Sequence, residues 1–293
     1  MVNAAIPELV FLTGDLGFRA LEPLRDRLGD RFINAGVAEQ NMVSVSAALA
    51  RSGLRPWAYS IAPFIYARPF EQIRNDVCLH NLPVVLVGNG GGYGYGVMGA
   101  THHAIEDYGV LLALPHMRVF VPAFDSDVGS VIGQLMTADA PSYLRLGLSE
   151  EPKGFVPPPY GAWRRLVARG PKGPTILVVG PLVGGILAAA LDMDAATRPS
   201  VWVLSELPVA EFPPEFIDDV QRSSRLVVVE EHVAHGGAGP AVAARLVAEG
   251  AAPRRFSHIA ARGYLSGLYG SQKFHRKECG LDPSSVIAVA CQD

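Results

Sequence analysis

The stretch from Arg31 to Ser46, RFINAGVAEQNMVSVS, constrains this chain more than any other. Arg31 to Ala35 reads as a short strand, Gly36 as a tight turn and the residues beyond as a helix. Met42, Val45 and Leu49 recur at helical spacing, while Ala47, Ala48 and Ala50 keep the helix surface small enough for close packing. Glu39 falls where the helix begins. The helix dipole favours a carboxylate there, which is a structural reason for it. The same residue lies just past the carboxyl end of a strand, where open α/β sheets place ligands, which is a functional one.

The alternation continues on both sides. Apolar runs predict strands at Glu8–Thr13, Arg55–Ile61, Pro83–Val87, Met117–Pro122 and Ser142–Leu146. Between them, helices are expected through Leu21–Leu28, from Ser60–Phe64 on through EQIRNDVCLH, and over Asp125–Ala138 with Asp125 or Ser126 as cap. A Pro- and Gly-rich stretch containing PPPYG then reads as a linker. Beyond it come strands at Thr175–Val179, Val201–Ser205 and Leu226–Glu230, another through Ile259, and helices over Leu182–Leu191 and Gly239–Glu249. The expected fold is therefore α/β in two domains, 1–150 and 174–293, joined by a linker over 151–173, each with a largely parallel sheet. A length of 293 residues suits two domains, and 49% hydrophobic against 18% charged residues suits strands covered on both faces.

Composition also excludes some classes of function. A net charge of −3 gives no global field toward nucleic acid or anionic membrane. Three cysteines, Cys78, Cys279 and Cys291, form neither a CxxC motif nor an even framework, which points to a reducing compartment and no structural metal. No basic leader or apolar run of about 20 residues is read, so the expected location is the cytoplasm.

Several residues could carry chemistry. Asp15 lies in a glycine turn, TGDLG, where an Asp commonly forms the turn itself. Phe64 follows a strand and could be ordinary core. Gly88 to Gly96 is a glycine-rich loop without the GK[ST] or GxGxxG ordering of a phosphate cradle, so it reads as a closely packed or mobile active-site loop. His102 and His103 are adjacent, and imidazole titrates where proton transfer is useful, although one of the pair could be structural. No third ligand at a recognisable spacing suggests a metal. Arg145 sits at a strand end, where a guanidinium can grip phosphate or pair with an acid. His232 and His235 read as structural.

The stretch GVAEQNMVSVSAALARSGLRPWAYSIAPF resembles the pyrimidine-binding domain of thiamine-diphosphate enzymes, transketolases above all. TGDLG, GATHHAIED and SYLRLG fit the same pattern, and EEHVAHGGAGPAVAARL and GSQKFHRKECGLD resemble the transketolase C-terminal domain. The resemblance implies that Glu39 holds the cofactor's aminopyrimidine, protonating its ring nitrogen and so favouring the imino form that deprotonates the thiazolium carbon. It implies that Phe64 stacks on that ring, that Asp15 comes close to the cofactor, that His102 and His103 lie near the substrate with His102 also catalytic, and that Arg145 holds a sugar phosphate. The chain departs from full-length transketolases at Met98, where they carry an Asp that bonds a sugar hydroxyl, and at Asn89, where they carry a His. Two-chain relatives look more like this loop.

The family holds diphosphate and magnesium through a Gly-Asp-Gly segment followed by an Asn, and no such segment occurs in this sequence. The resemblance then implies a partner subunit that supplies the diphosphate and magnesium site, in a two-plus-two heterotetramer. The implied activity is transfer of a two-carbon ketol unit between sugars, phosphorylated ones included. Three alternatives stand beside it. One is the beta subunit of a 2-oxoacid dehydrogenase or acyloin-forming enzyme, one is a deoxyxylulose-phosphate-synthase-like activity, and one is a non-catalytic assembly subunit.

Overall fold

Strand and helix alternate along nearly the whole chain because short β-branched runs alternate with Ala- and Leu-rich amphipathic stretches. The computed structural model describes residues 7–292. The first six residues and Asp293, which the expected domain bounds and the reading of the N-terminus include, lie outside the described residues. In chain order the first half runs β1 (Leu9–Thr13), α1 (Glu22–Leu28), β2 (Phe32–Asn34), α2 (Glu39–Arg51), β3 (Arg55–Ile61), α3 (Ala62–Tyr66), α4 (Phe70–Gln72), β4 (Val85–Asn89), α5 (Asp107–Leu111), β5 (Arg118–Phe120), α6 (Val128–Leu135) and β6 (Ser142–Leu146). The second half runs β7 (Trp163–Val167), β8 (Thr175–Val179), α7 (Val183–Leu191), β9 (Ser200–Leu204), β10 (Glu206–Leu207), α8 (Pro214–Ser223), β11 (Arg225–Val233), α9 (Ala238–Ala248), β12 (Arg255–Ala261), α10 (Gln272–Glu278) and α11 (Pro283–Cys291).

These strands make two sheets, ordered β10-β5-β6-β4-β3-β1-β2 and β12-β11-β8-β9-β7. Within the first, every pairing is parallel except that of β10 with β5. Within the second, only β7 with β9 is antiparallel. Central strands such as β1, LVFLT, and β8, TILVV, are buried along their length, as strands covered on both faces must be. The two-domain, mostly parallel α/β architecture expected from the sequence is the one observed.

Four local differences have physical causes. The stretch expected to be linker, 151–173, contains β7, WRRLV, whose short alternation is masked by the prolines and glycines around it. β10 leaves the second half and pairs with β5, so the first sheet takes its edge strand from across the boundary. The helix expected over Asp125–Ala138 begins as a 3₁₀ turn at Asp125–Asp127 and is α-helical only over Val128–Leu135. Asp127, rather than Asp125 or Ser126, ties that N-terminus: its Oδ2 accepts from the Ala123 and Phe124 amides at 3.0 Å each. The helix expected to run through Pro69 breaks over Ala67–Pro69, because a residue before proline is driven out of the helical region and proline has no N–H to give. It resumes at Phe70 and loosens into a π-turn over Ile73–Cys78.

The two halves are locked together. One apolar cluster includes Val10, Leu86 and Val119 from the first half with Leu177, Trp202 and Val228 from the second. A polar seam runs beside it. Asp127 and Arg164 of β7 form a two-pronged ion pair at 2.7 and 2.6 Å. Glu231 accepts from the Tyr93 amide at 3.1 Å, from Gln272 Nε2 at 3.1 Å and from Arg276 Nη2 at 2.7 Å. Among the described residues, no helix is long and apolar enough to cross a membrane.

Candidate functional site: a recess at the carboxyl ends of four parallel strands

β4, β3, β1 and β2 are neighbours in the first sheet, and the loop after each contributes to one surface. Gly36, after β2, has φ +69°, a left-handed conformation that glycine adopts without strain. That turn aims α2 so that Glu39 is its first residue. Asn34 braces the turn, accepting from the Gly36 amide at 2.9 Å and donating to Asp15 Oδ1, in the loop after β1, at 3.1 Å. Asp15 returns a backbone bond to Gly36 O at 3.1 Å, so its observed contacts are those of a turn former that stitches two site loops together.

Glu39 is buried, 6% exposed, and its Oε1 accepts from Arg68 Nη1 at 2.8 Å. Arg68 sits at the break between α3 and α4, and its guanidinium carbon lies 3.7 Å from the centroid of the Phe64 ring. His102 meets Phe64 edge-on with ring centroids 5.2 Å apart and lies 5.8 Å from Tyr95. His102 Nδ1 is bonded to Thr101 Oγ1 at 2.9 Å. Asn89 donates to the Tyr95 hydroxyl at 3.1 Å, which carries the surface to the end of β4. Glu39, Phe64 and His102 are thus brought together, with Asp15 in the bracing loop. Beside them, Val37 to Asn41 and Arg68 line an open recess of about 600 Å³.

The glycine-rich loop after β4 is a packing device. A Cβ on Gly90, φ +76°, would meet the Tyr95 ring at 2.2 Å, and one on Gly91 would meet Arg145 Cγ at 2.6 Å. The loop wraps closely around side chains that larger residues would displace.

Two expected site residues turn inward. His103 is 3% exposed; its Nε2 donates to Gly96 O at 2.8 Å, leaving Nδ1 to accept from the Tyr264 hydroxyl at 2.9 Å. Burial pushes its pKa below the usual histidine value, favouring the neutral ring. It packs against Tyr93 and His275 in the seam, so the expectation that it binds substrate is corrected to a structural role. Arg145 is 4% exposed, with Nε on Asp107 Oδ2 at 2.8 Å and Nη2 on the Ala104 and Glu231 carbonyls, both at 2.9 Å. A guanidinium committed to one carboxylate and two carbonyls inside the protein is not presented to a phosphate, and that expectation is corrected as well. His232, read as structural, is buried and stacks on Tyr108 with centroids 3.8 Å apart.

Sequence reasoning missed Arg68 and Tyr95, and took Asn89 only as a departure from full-length transketolases. Arg68 follows Phe64 by four residues and immediately precedes Pro69, a spacing that puts both side chains on one side of a helix about to break.

Residues 2–151 match the family described as transketolase, pyrimidine binding domain. The chain belongs to the transketolase family. It is 32% identical to the B subunit of the apulose-4-phosphate transketolase of Actinobacillus succinogenes, over 92% of this chain and 87% of that one. It is also 32% identical to the 1-deoxy-D-xylulose-5-phosphate synthase of Nitratidesulfovibrio vulgaris, but over 82% of this chain and only 36% of that longer enzyme. A solved split-gene transketolase, an inactive beta4 tetramer, superposes with a TM-score of 0.79 at 28% identity, covering 98% of this chain and 91% of that one. The transketolase of Campylobacter jejuni shares the fold, with a TM-score of 0.71 at 18% identity, covering 96% of this chain and 43% of that one.

Membership of the transketolase family implies thiamine diphosphate as cofactor, and Glu39 and Phe64 are of the residue types that its aminopyrimidine end needs. A flat, N–H-bearing ring needs a carboxylate and an aromatic face within one reach. The flat guanidinium of Arg68 bonds to Glu39 and stacks on Phe64, so the two lie within reach of one planar group.

Proposed function

We propose that this chain is the pyrimidine-binding half of a two-chain transketolase, transferring a two-carbon ketol unit between sugars. The observation that carries the proposal is the contact chain that links Glu39 through Arg68 to Phe64 and His102 at the carboxyl edge of the first sheet. Two similarities support the two-chain form: the relative that is itself one subunit of a transketolase, and the split-gene structure.

Thiamine diphosphate, when bound, supplies the carbon nucleophile of ketol transfer. In this reading Glu39 holds the proton at the pyrimidine ring nitrogen, and Phe64 fixes the plane of the ring. His102 stands beside Phe64 with Nδ1 occupied by Thr101 and Nε2 without a partner among the described residues, free to exchange a proton with substrate. Arg145 takes no part, so recognition of any sugar phosphate falls to other groups. Co-expression with a diphosphate-binding transketolase chain tests the proposal. The expected result is a complex of the two chains, two copies of each, with ketol transferase activity that neither chain shows alone. Full activity of this chain by itself would contradict it.

A further inference from the structure

Arg68 occupies the ground that the pyrimidine needs. Its Nη1 uses Glu39 Oε1 at 2.8 Å, and its guanidinium carbon lies 3.7 Å over the Phe64 ring, which is van der Waals contact. A second planar group cannot stack on that ring face while Arg68 is there, and it would have to share the Glu39 carboxylate with the guanidinium. We propose that Arg68 is a displaceable plug: it covers the Glu39 carboxylate and the Phe64 ring face when no cofactor is bound, and swings out to admit the aminopyrimidine. This rests on the reading of Glu39 and Phe64 as the pyrimidine site.

The surroundings suit a swinging side chain. Arg68 sits in the turn between α3 and α4, outside any helical ladder, because Pro69 breaks the helix there. Its carbonyl accepts from Gln40 Nε2 at 3.4 Å, so a bond holds its backbone while the side chain remains 44% exposed. Glu39, by contrast, is 6% exposed at a fixed helix start. The mobile partner of the ion pair is therefore the arginine. A half-exposed ion pair and a single cation–π contact are weak enough for a ligand to displace. They are strong enough to cover the carboxylate and the aromatic face of a chain without its cofactor. A plug that is in place most of the time lowers apparent affinity by the fraction of molecules in which the site is open.

Saturation-transfer NMR on the full chain tests this, with 4-amino-5-hydroxymethyl-2-methylpyrimidine as one probe and thiamine diphosphate with magnesium as the other. The variants are Arg68→Ala, Arg68→Gln, Glu39→Gln and Phe64→Ala, each checked for an unchanged melting temperature. Arg68→Ala and Arg68→Gln are expected to bind the pyrimidine probe roughly tenfold more tightly than the parent chain. Glu39→Gln and Phe64→Ala are expected to bind it more weakly. In the parent chain, the Arg68 Nε–H resonance should shift toward that of a solvated guanidinium as the probe saturates. Weaker or unchanged binding by both Arg68 variants, with binding still lost in Glu39→Gln and Phe64→Ala, overturns the plug and leaves the pyrimidine site standing. Binding indifferent to all four substitutions overturns the pyrimidine site itself. No binding by any variant also overturns the plug, since removing it must open the site.

Discussion

Glu39 and Asp107 are both buried carboxylates paired with arginine, and the exposure of the partner separates their roles. Asp107 is fully buried against an Arg145 that is 4% exposed, whereas Glu39 faces an Arg68 that is 44% exposed. A sealed pair is structural, because removing one member strands a charge. Arg145→Ala should therefore destabilise the fold by about 3–5 kcal/mol, read as a lower urea midpoint. Selective loss of phosphorylated donors with an unchanged midpoint would restore the phosphate role. Glu39→Gln should leave the melting temperature close to that of the parent chain. In the assembled enzyme it should slow proton exchange at the thiazolium carbon at least ~10²-fold, followed by NMR. The two histidines divide the same way. His102→Ala should lower turnover with little loss of stability, and His103→Ala should lower stability, because its ring bonds Gly96 and Tyr264 in the seam. That Glu39, Phe64 and His102 lie on one side of the first sheet was legible in the sequence because each sits in a short motif next to a strand end. Arg145 and His103 were misread because their partners, Asp107 and Tyr264, lie 38 and 161 residues away and are fixed only by tertiary contact.

Strands at the centre of each sheet were the easiest elements to read, since burial on both faces writes them as unbroken apolar runs such as LVFLT and TILVV. Edge elements were not. β7 has one buried face and two arginines, and β10 is two residues long, so neither produces a run. α8 was missed although its buried Phe216 and Val220 are four apart, because its start lies among the prolines of EFPPEF. The glycine loop after β4, read as either closely packed or mobile, is closely packed, and its geometry yields a test. Gly92 has φ +66°, and a Cβ there would sit 2.6 Å from the Glu231 side chain that Arg276 already holds. Gly92→Ala should cost about 2 kcal/mol or more through strain and displacement of Glu231. Calorimetric melting checks this, and a melting temperature equal to the parent's would mean that the loop shifts freely.

The whole molecule depends on a seam whose charges are tuned in one direction. Burial opposes the charge on Glu230, but bonds from His258, Tyr108 and the Gly239 and Ala238 amides outweigh it and hold its pKa below the usual value. His103 and His275 are also held low, in both cases chiefly by burial. A lowered histidine pKa means that, as pH falls through about 6.5, the unfolded chain takes up protons first and stability drops. A lowered carboxylate pKa adds a second loss once pH falls toward the folded value of Glu230. The urea midpoint should therefore be lower at pH 5 than at pH 7, and His103→Gln should shrink that difference; a flat profile would contradict the seam's role. The seam holds the second domain against the glycine loop and the segment that carries His102 and His103, so that part of the site depends on the whole chain rather than on its first domain alone. In the proposed assembly this chain holds only the pyrimidine end of thiamine diphosphate. Titration calorimetry of thiamine diphosphate with magnesium tests it most directly, into this chain alone and into its complex with a diphosphate-binding transketolase chain. Weak binding is expected for the chain alone and tight, magnesium-dependent binding for the complex, whereas tight, magnesium-dependent binding by the isolated chain would overturn the proposed division of the cofactor.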